Sequence, residues 1–105
     1  MVQERLANML EDLTAMQLYC RSMADRETTG RLRPTQASLA KYHNTRAARR
    51  VASTARDMLG GNGILLENGV MQHMADIEAI HTFEGTETMQ TPIVGRDITG
   101  LGAFA

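Results

Sequence analysis

Cysteine occurs once among the 105 residues, as Cys20. No intramolecular disulfide framework can form, and the chain suits a reducing compartment. Tryptophan is absent, and two Tyr and two Phe are the whole aromatic complement. Basic residues therefore have no interleaved aromatics on which nucleic-acid bases stack. A net charge of −1, from 11 basic and 12 acidic residues, gives no global attraction for nucleic acid either. No apolar run approaches the roughly 20 residues that a membrane-spanning helix requires. The opening Met1-Val2-Gln3-Glu4-Arg5 lacks the apolar centre of a secretory signal. Together these absences point to a bacterial-type cytoplasm or an organelle matrix, not to export.

Ala, Leu, Met, Arg and Glu are abundant instead, a composition that favours helix over strand. Hydrophobic residues at 43% and charged residues at 22% describe one ordinary globular domain spanning 1–105. Eight methionines suit irregular, adaptable packing surfaces. Charge is divided unevenly. Residues 1–56 carry ten basic and five acidic groups, a net +5, whereas 57–105 carry Arg96 against seven acids, a net −6. The expected outcome is compensation between packed helices. The alternative is that Arg46, Arg49, Arg50 and Arg56 face an anionic ligand or a neighbouring subunit.

Apolar positions at Val2, Leu6, Met9, Leu13, Met16, Cys20 and Met23 alternate in steps of four and three, a helical seam broadened by Leu10 and Leu18. On that stripe Cys20 reads as a small buried hydrophobe. The helix is expected to end near Asp25, before Glu27-Thr28-Thr29-Gly30. Pro34 opens a second helix, where its missing N–H costs nothing. Leu39, Tyr42, Val51, Ala52, Ala55, Met58 and Leu59 give that helix a face rich in small residues, and Gly60-Gly61-Asn62-Gly63 stops it. Asn68 is the expected cap of a third helix carrying Val70, Met71, Met74, Ile77 and Ile80. Thr86 is the expected cap of a fourth containing Met89, Ile93, Val94 and Ile98; Thr91 followed by Pro92 is an alternative start. The fold class is all-α, a four-helix up-down bundle.

Glu78-Ala79-Ile80-His81 has the Glu-x-x-His spacing of carboxylate-bridged di-iron bundles. Such a centre needs a second copy, and no other Glu has a His three residues on, so no metal is expected and His81 reads as a surface or ion-paired residue. The triple-glycine run lacks both dinucleotide-loop and P-loop spacing. It reads as a helix stop, or as bare backbone against which a ligand lies flat. Phe83-Glu84-Gly85-Thr86 is more informative. It puts a carboxylate between a large apolar residue and a capping Thr, near N–H groups able to receive a ligand oxygen. Apolar cover would favour the neutral acid and the helix start the carboxylate, opposing pulls that make Glu84 a candidate general base. An exposed helix-start Glu is the plainer alternative.

Three ordered motifs extend these readings. Arg56-Asp57-Met58-Leu59-Gly60-Gly61-Asn62-Gly63, then Thr82-Phe83-Glu84-Gly85-Thr86, then Gly95-Arg96-Asp97-Ile98-Thr99-Gly100 resemble the C-terminal helical domain of acyl-CoA dehydrogenases. The nearest branch holds glutaryl-CoA dehydrogenase and the short-chain acyl-CoA oxidases, and the likeness runs from about Leu6 to Phe104. The resemblance implies that Glu84 removes the α-proton of an acyl-CoA thioester while the β-hydrogen leaves as hydride to FAD. It implies that the Glu84 N–H helps polarise the thioester carbonyl, that Gly85 borders the acyl-CoA, and that Thr86 touches the flavin. By the same resemblance Asp57, Met58, Leu59, Gly60 and Gly61 contact FAD held largely by a neighbouring subunit, and Phe104 also touches FAD. It further implies a homo-oligomer and electron-transferring flavoprotein as acceptor, with a peroxide-forming oxidase or a non-catalytic helical oligomerisation module as rivals. Phe83 replaces the usual Tyr, Thr88 stands where many members carry Gln, and Pro92 replaces a bulky apolar residue. The chain is expected to be the C-terminal domain of a longer flavoenzyme, inactive and weak in FAD binding by itself.

Overall fold

A computed structural model describes residues 1–102, all helix and turn. The elements are α1 (Val2–Thr28), α2 (Pro34–Met58), two short 3₁₀ turns (Gly60–Ile64 and Leu66–Asn68), α3 (Val70–Thr82) and α4 (Glu87–Thr99). The all-α, four-helix expectation holds. Helix α1 outruns its expected end because its last threonines satisfy the terminal carbonyls: Thr28 Oγ1 donates to Ala24 O at 3.0 Å and Thr29 Oγ1 to Arg26 O at 3.2 Å. Gly30, at φ 72°, then turns the chain left-handed. Pro34 occupies the first turn of α2 as expected. Asn68 does not cap α3; its side chain donates back to Asn62 O at 2.8 Å, stitching the glycine corner, and Gly69 at φ 82° takes the cap position. Thr86 caps α4 as expected, and Pro92 lies inside that helix, so Thr91–Pro92 is not its start.

Helix α2 is the hub. It packs against α1 along one side and against α3 and α4 along another. Helix α1 runs antiparallel to it on three rungs a heptad apart: Arg5 to Asp57 at 2.6 Å, Asp12 to Arg50 at 2.9 Å, and Tyr19 stacked on His43 with ring centroids 4.4 Å apart. The Asp12 hydrogen bond also raises the Arg50 pKa above its ordinary value. These rungs rotate α1 away from the sequence-expected seam. The shielded line runs through Arg5, Met9, Asp12, Met16, Tyr19 and Met23, while Val2, Leu6, Leu10, Leu13 and Leu18 stay exposed. Cys20 is exposed too, contrary to expectation, with only a 3.5 Å contact from Asn44 Nδ2 to its sulfur.

Helices α3 and α4 do not lie side by side. Arg49 meets Glu78 at 2.6 Å and Thr45 meets His81 at 3.2 Å, so α3 covers the C-terminal half of α2. Arg46 meets Glu87 at 3.6 Å and Arg33 meets Asp97 at 2.5 Å, so α4 continues the same line over the N-terminal half. The third rod of the fold is therefore broken, and the break is Phe83–Thr86. The basic α2 face and the acidic second half of the chain neutralise one another through these pairs, as compensation requires. Being exposed, each pair adds only about 0.2–1 kcal/mol and serves chiefly to fix register.

The interior is thin. Among the described residues, Ala40 and Ala47 are the buried hydrophobic ones, Thr45 and Gln90 the buried polar ones, and no large side chain is fully enclosed. The accessible surface of 7564 Å² exceeds the roughly 5,800 Å² expected of a compact 11.6 kDa monomer. The radius of gyration, 16.2 Å, likewise exceeds the roughly 13 Å of a compact chain this long. Large apolar side chains stay uncovered because α2 offers its neighbours small residues and polar rungs, which hold rods together without enclosing them.

One close packing contact is strict. A Cβ on Gly63 would lie 2.2 Å from Arg56 O, whereas one on Gly61 meets nothing within 4 Å. Gly63→Ala is expected to cost about 3 kcal/mol by forcing backbone apart, while Gly61→Ala changes stability by less than about 0.5 kcal/mol. Urea unfolding of the two variants checks the contrast.

Candidate active site

The break in the third rod is built by its own residues. Helix α3 ends with the Phe83 N–H donating to Ala79 O at 2.9 Å, and Phe83 then extends at ψ 161°. Glu84 follows at φ 55°, the one non-glycine residue at positive φ among those described, and Gly85 sits at φ 98°. Two successive left-handed residues interrupt the helix and let Thr86 start α4 along the same line. Thr86 Oγ1 accepts from the Met89 N–H at 3.3 Å. The bond uses that oxygen as an acceptor and leaves the hydroxyl proton free to donate outward.

Two side chains that sequence reasoning missed collect the carbonyls of this turn. Lys41, on α2, donates through Nζ to both Phe83 O and Gly85 O, with the Phe83 ring 5.7 Å away. Gln90, on α4 and only 6% exposed, donates through Nε2 to Gly85 O at 3.2 Å and reaches Glu84 O at 3.5 Å. Lys41 read as one more helix cation and Gln90 as a polar position beside Met89. Neither type nor spacing revealed a partner in a turn 42–44 residues from Lys41. Among the described residues, the Glu84 N–H donates to no protein acceptor.

The enclosure expected of Glu84 is missing within this chain. Its side chain is exposed, and Phe83 is 55% exposed. Glu84, Gly85 and Thr86 are brought together; Asp57, Met58, Leu59, Gly60 and Gly61 are not near them. The 13 residues of α3 lie between the two corners, a separation of roughly 20 Å at the helical rise per residue. Asp57 is engaged twice, by Arg5 at 2.6 Å and Arg56 at 3.3 Å. Met58 is half-buried and Leu59 exposed. Phe104 lies outside the described residues.

The glycine corner nevertheless leaves open space. Gly60 is explained by its φ of 60° and Gly63 by crowding, but Gly61 has neither a left-handed backbone nor a neighbour within reach of a Cβ. Bare backbone there leaves room that this chain does not fill. Glu78 and His81 are used structurally: Arg49 holds the carboxylate, and His81 meets Thr45 at 3.2 Å and Glu87 at 3.8 Å. A groove of about 940 Å³ between α2 and α3 contains Arg46, Arg49 and Arg50. All three are already paired with carboxylates, and Glu84 is not in its walls.

Comparison with known proteins was informative. Residues 1–99 match the family described as acyl-CoA dehydrogenase, C-terminal domain. The fold superposes on glutaryl-CoA dehydrogenase from Mycobacterium smegmatis with a TM-score of 0.94 and 40% identity, covering 98% of this chain and 27% of that one. A glutaryl-CoA dehydrogenase from the same organism in complex with FADH2 gives 0.93 and 37%, with the same coverage. An acyl-CoA dehydrogenase from Slackia heliotrinireducens gives 0.89 and 30%, covering 94% of this chain and 26% of that one. A 3-(aryl)acrylate reductase from Clostridium sporogenes is 27% identical over 97 residues, 92% of this chain and 26% of that protein. The chain thus spans about a quarter of the length of these relatives.

The strained turn generates a test of its own. A side chain at left-handed φ costs about 1 kcal/mol that glycine does not incur. Glu84→Gly is therefore expected to stabilise the chain by about that amount, read as a higher urea midpoint. A lower midpoint would show that Glu84 earns its place by packing.

Proposed function

This chain belongs to the acyl-CoA dehydrogenase family as a C-terminal domain of it, and from that premise we propose that Glu84 is the base that takes the α-proton from an acyl-CoA thioester. The observation that carries the reading is the turn itself. A carboxylate is kept at a strained position where glycine would be more stable, exposed, with its own backbone N–H donating to no protein acceptor among the described residues. In the assembled enzyme Glu84 accepts the proton while its own N–H donates to the thioester carbonyl oxygen. That bond strengthens as enolate charge develops, and such stabilisation is worth several kcal/mol for so weak an acid. The bound flavin supplies the acceptor for the β-hydrogen and its electron pair. Gly85, lacking a side chain, leaves room for the acyl-CoA beside the base, and the Thr86 hydroxyl donates toward the flavin.

The glycine corner serves a second position. Because it lies a full α3 length from Glu84, Asp57 to Gly61 meet the cofactor of a neighbouring copy. Asp57 acts there by holding Arg5 and Arg56 in place, and Gly60 and Gly61 act by exposing backbone. Phe104 is assigned to the same cofactor. This arrangement calls for a homo-oligomer and for upstream domains that enclose Glu84, so the 105-residue chain alone is inactive and binds FAD weakly or not at all. Electron-transferring flavoprotein is the assigned acceptor. A peroxide-forming oxidase uses the same proton transfer and is separated by comparing aerobic with anaerobic turnover. A reductase such as the aryl acrylate relative uses the same carbon atoms with hydrogen moving the other way.

In the flavoenzyme that carries this domain, Glu84→Gln is expected to retain flavin and lose α-proton exchange from butanoyl-CoA in deuterated water by at least about a thousandfold. Unchanged exchange would instead mark the domain as a non-catalytic helical module. Titration of the 105-residue chain with FAD, followed by flavin fluorescence, is expected to show no saturable binding at micromolar protein.

A further inference from the structure

The break between α3 and α4 is held from one side only, and that asymmetry has a stereochemical consequence. Lys41 reaches the carbonyls of Phe83 and Gly85, and Gln90 those of Gly85 and Glu84. Three successive C=O groups are thus drawn inward toward α2 and α4. No peptide bond among the described residues is cis, and in a planar trans peptide the N–H points opposite to the C=O. Fixing the Phe83, Glu84 and Gly85 carbonyls inward therefore fixes the Glu84, Gly85 and Thr86 N–H groups outward.

We propose that Lys41 and Gln90 are positioning residues that lock this turn, so that the Glu84 carboxylate and the Glu84 N–H are presented together to a thioester. The proposal rests on Glu84 being the base. A buried amide and a half-buried ammonium are suited to the task. A charged donor makes the stronger bond to a carbonyl, and Gln90, at 6% exposure, has little water to compete for its N–H. Without them the turn loses the only side-chain donors found on these carbonyls among the described residues, and a left-handed Glu relaxes toward ordinary backbone. Gly85 belongs to the same device: a Cβ there would stand 2.7 Å from Gln90 Nε2, so only glycine lets the amide close on the turn. The positioning acts on orientation alone, which is why it is expected to change turnover and not substrate affinity.

Two measurements test it separately from the base assignment. In the 105-residue chain, Lys41→Met and Gln90→Leu are expected to speed amide hydrogen exchange at Glu84–Thr86 by about tenfold. They should also move the Glu84 Cα and Cβ chemical shifts away from left-handed values, with α1 and α2 protection unchanged. In the flavoenzyme, Lys41→Met is expected to lower kcat and butanoyl-CoA α-proton exchange by about tenfold, with KM and flavin content held, and Lys41→Arg to restore most of the loss. Unchanged shifts and exchange at the turn would overturn the proposal, as would an equal change in KM, or global unfolding by both variants, which would make them plain core residues. If Glu84→Gln keeps α-proton exchange while the turn still loosens in Lys41→Met, the base assignment fails and the clamp stands.

Discussion

Everything in this domain is referred to α2. Its neighbours touch it more than they touch one another, and what it offers them is alanine, threonine and a ladder of cations. Small residues let helices approach closely but exclude little water, so enclosure cannot supply specificity of packing. The ladder does: Arg5–Asp57, Asp12–Arg50 and Tyr19–His43 set α1 in register, and Arg49–Glu78, Arg46–Glu87 and Arg33–Asp97 lay α3 and then α4 along the opposite side. Individually such exposed pairs are weak. Spaced along one rod, they discriminate against every shifted alignment.

From that constraint the site follows. If α3 and α4 must both follow α2, the chain between them has to break without leaving the line. Two left-handed residues accomplish this in the smallest number of steps. One is a glycine and the other is not, which concentrates strain on Glu84. The same break leaves the Glu84 N–H without a protein acceptor among the described residues while Lys41 and Gln90 absorb the carbonyls of the turn. An exposed carboxylate and an adjacent backbone donor are thus by-products of interrupting a helix over a continuous partner. Strain of this kind persists only where surrounding contacts over-determine the geometry.

The exposed leucines of α1 and the unoccupied space above Gly61 have a common meaning. Both are surfaces for which this chain provides no cover, and an accessible area well above that of a compact monomer says so quantitatively. Roughly 20 Å separates the glycine corner from Glu84, so within one chain the two cannot line a single small pocket.

Helix number and type, the Pro34 start, the Thr86 cap and the ordered glycine and Glu84 motifs were all determined by the sequence, because each depends on local backbone preference or on residues adjacent in the chain. Which side of α1 faces inward was not. Periodicity located a broad apolar stripe, yet three polar rungs to residues 24–52 positions away won the orientation and left Cys20 and four leucines outside it. Asn68 read as a cap because its neighbours invite one, but Asn62 competed for its amide. Lys41 and Gln90 were invisible for the same reason: hydrogen bonds to backbone carbonyls leave no trace in side-chain pattern, and only the folding of α3 and α4 along one helix brought those carbonyls within reach.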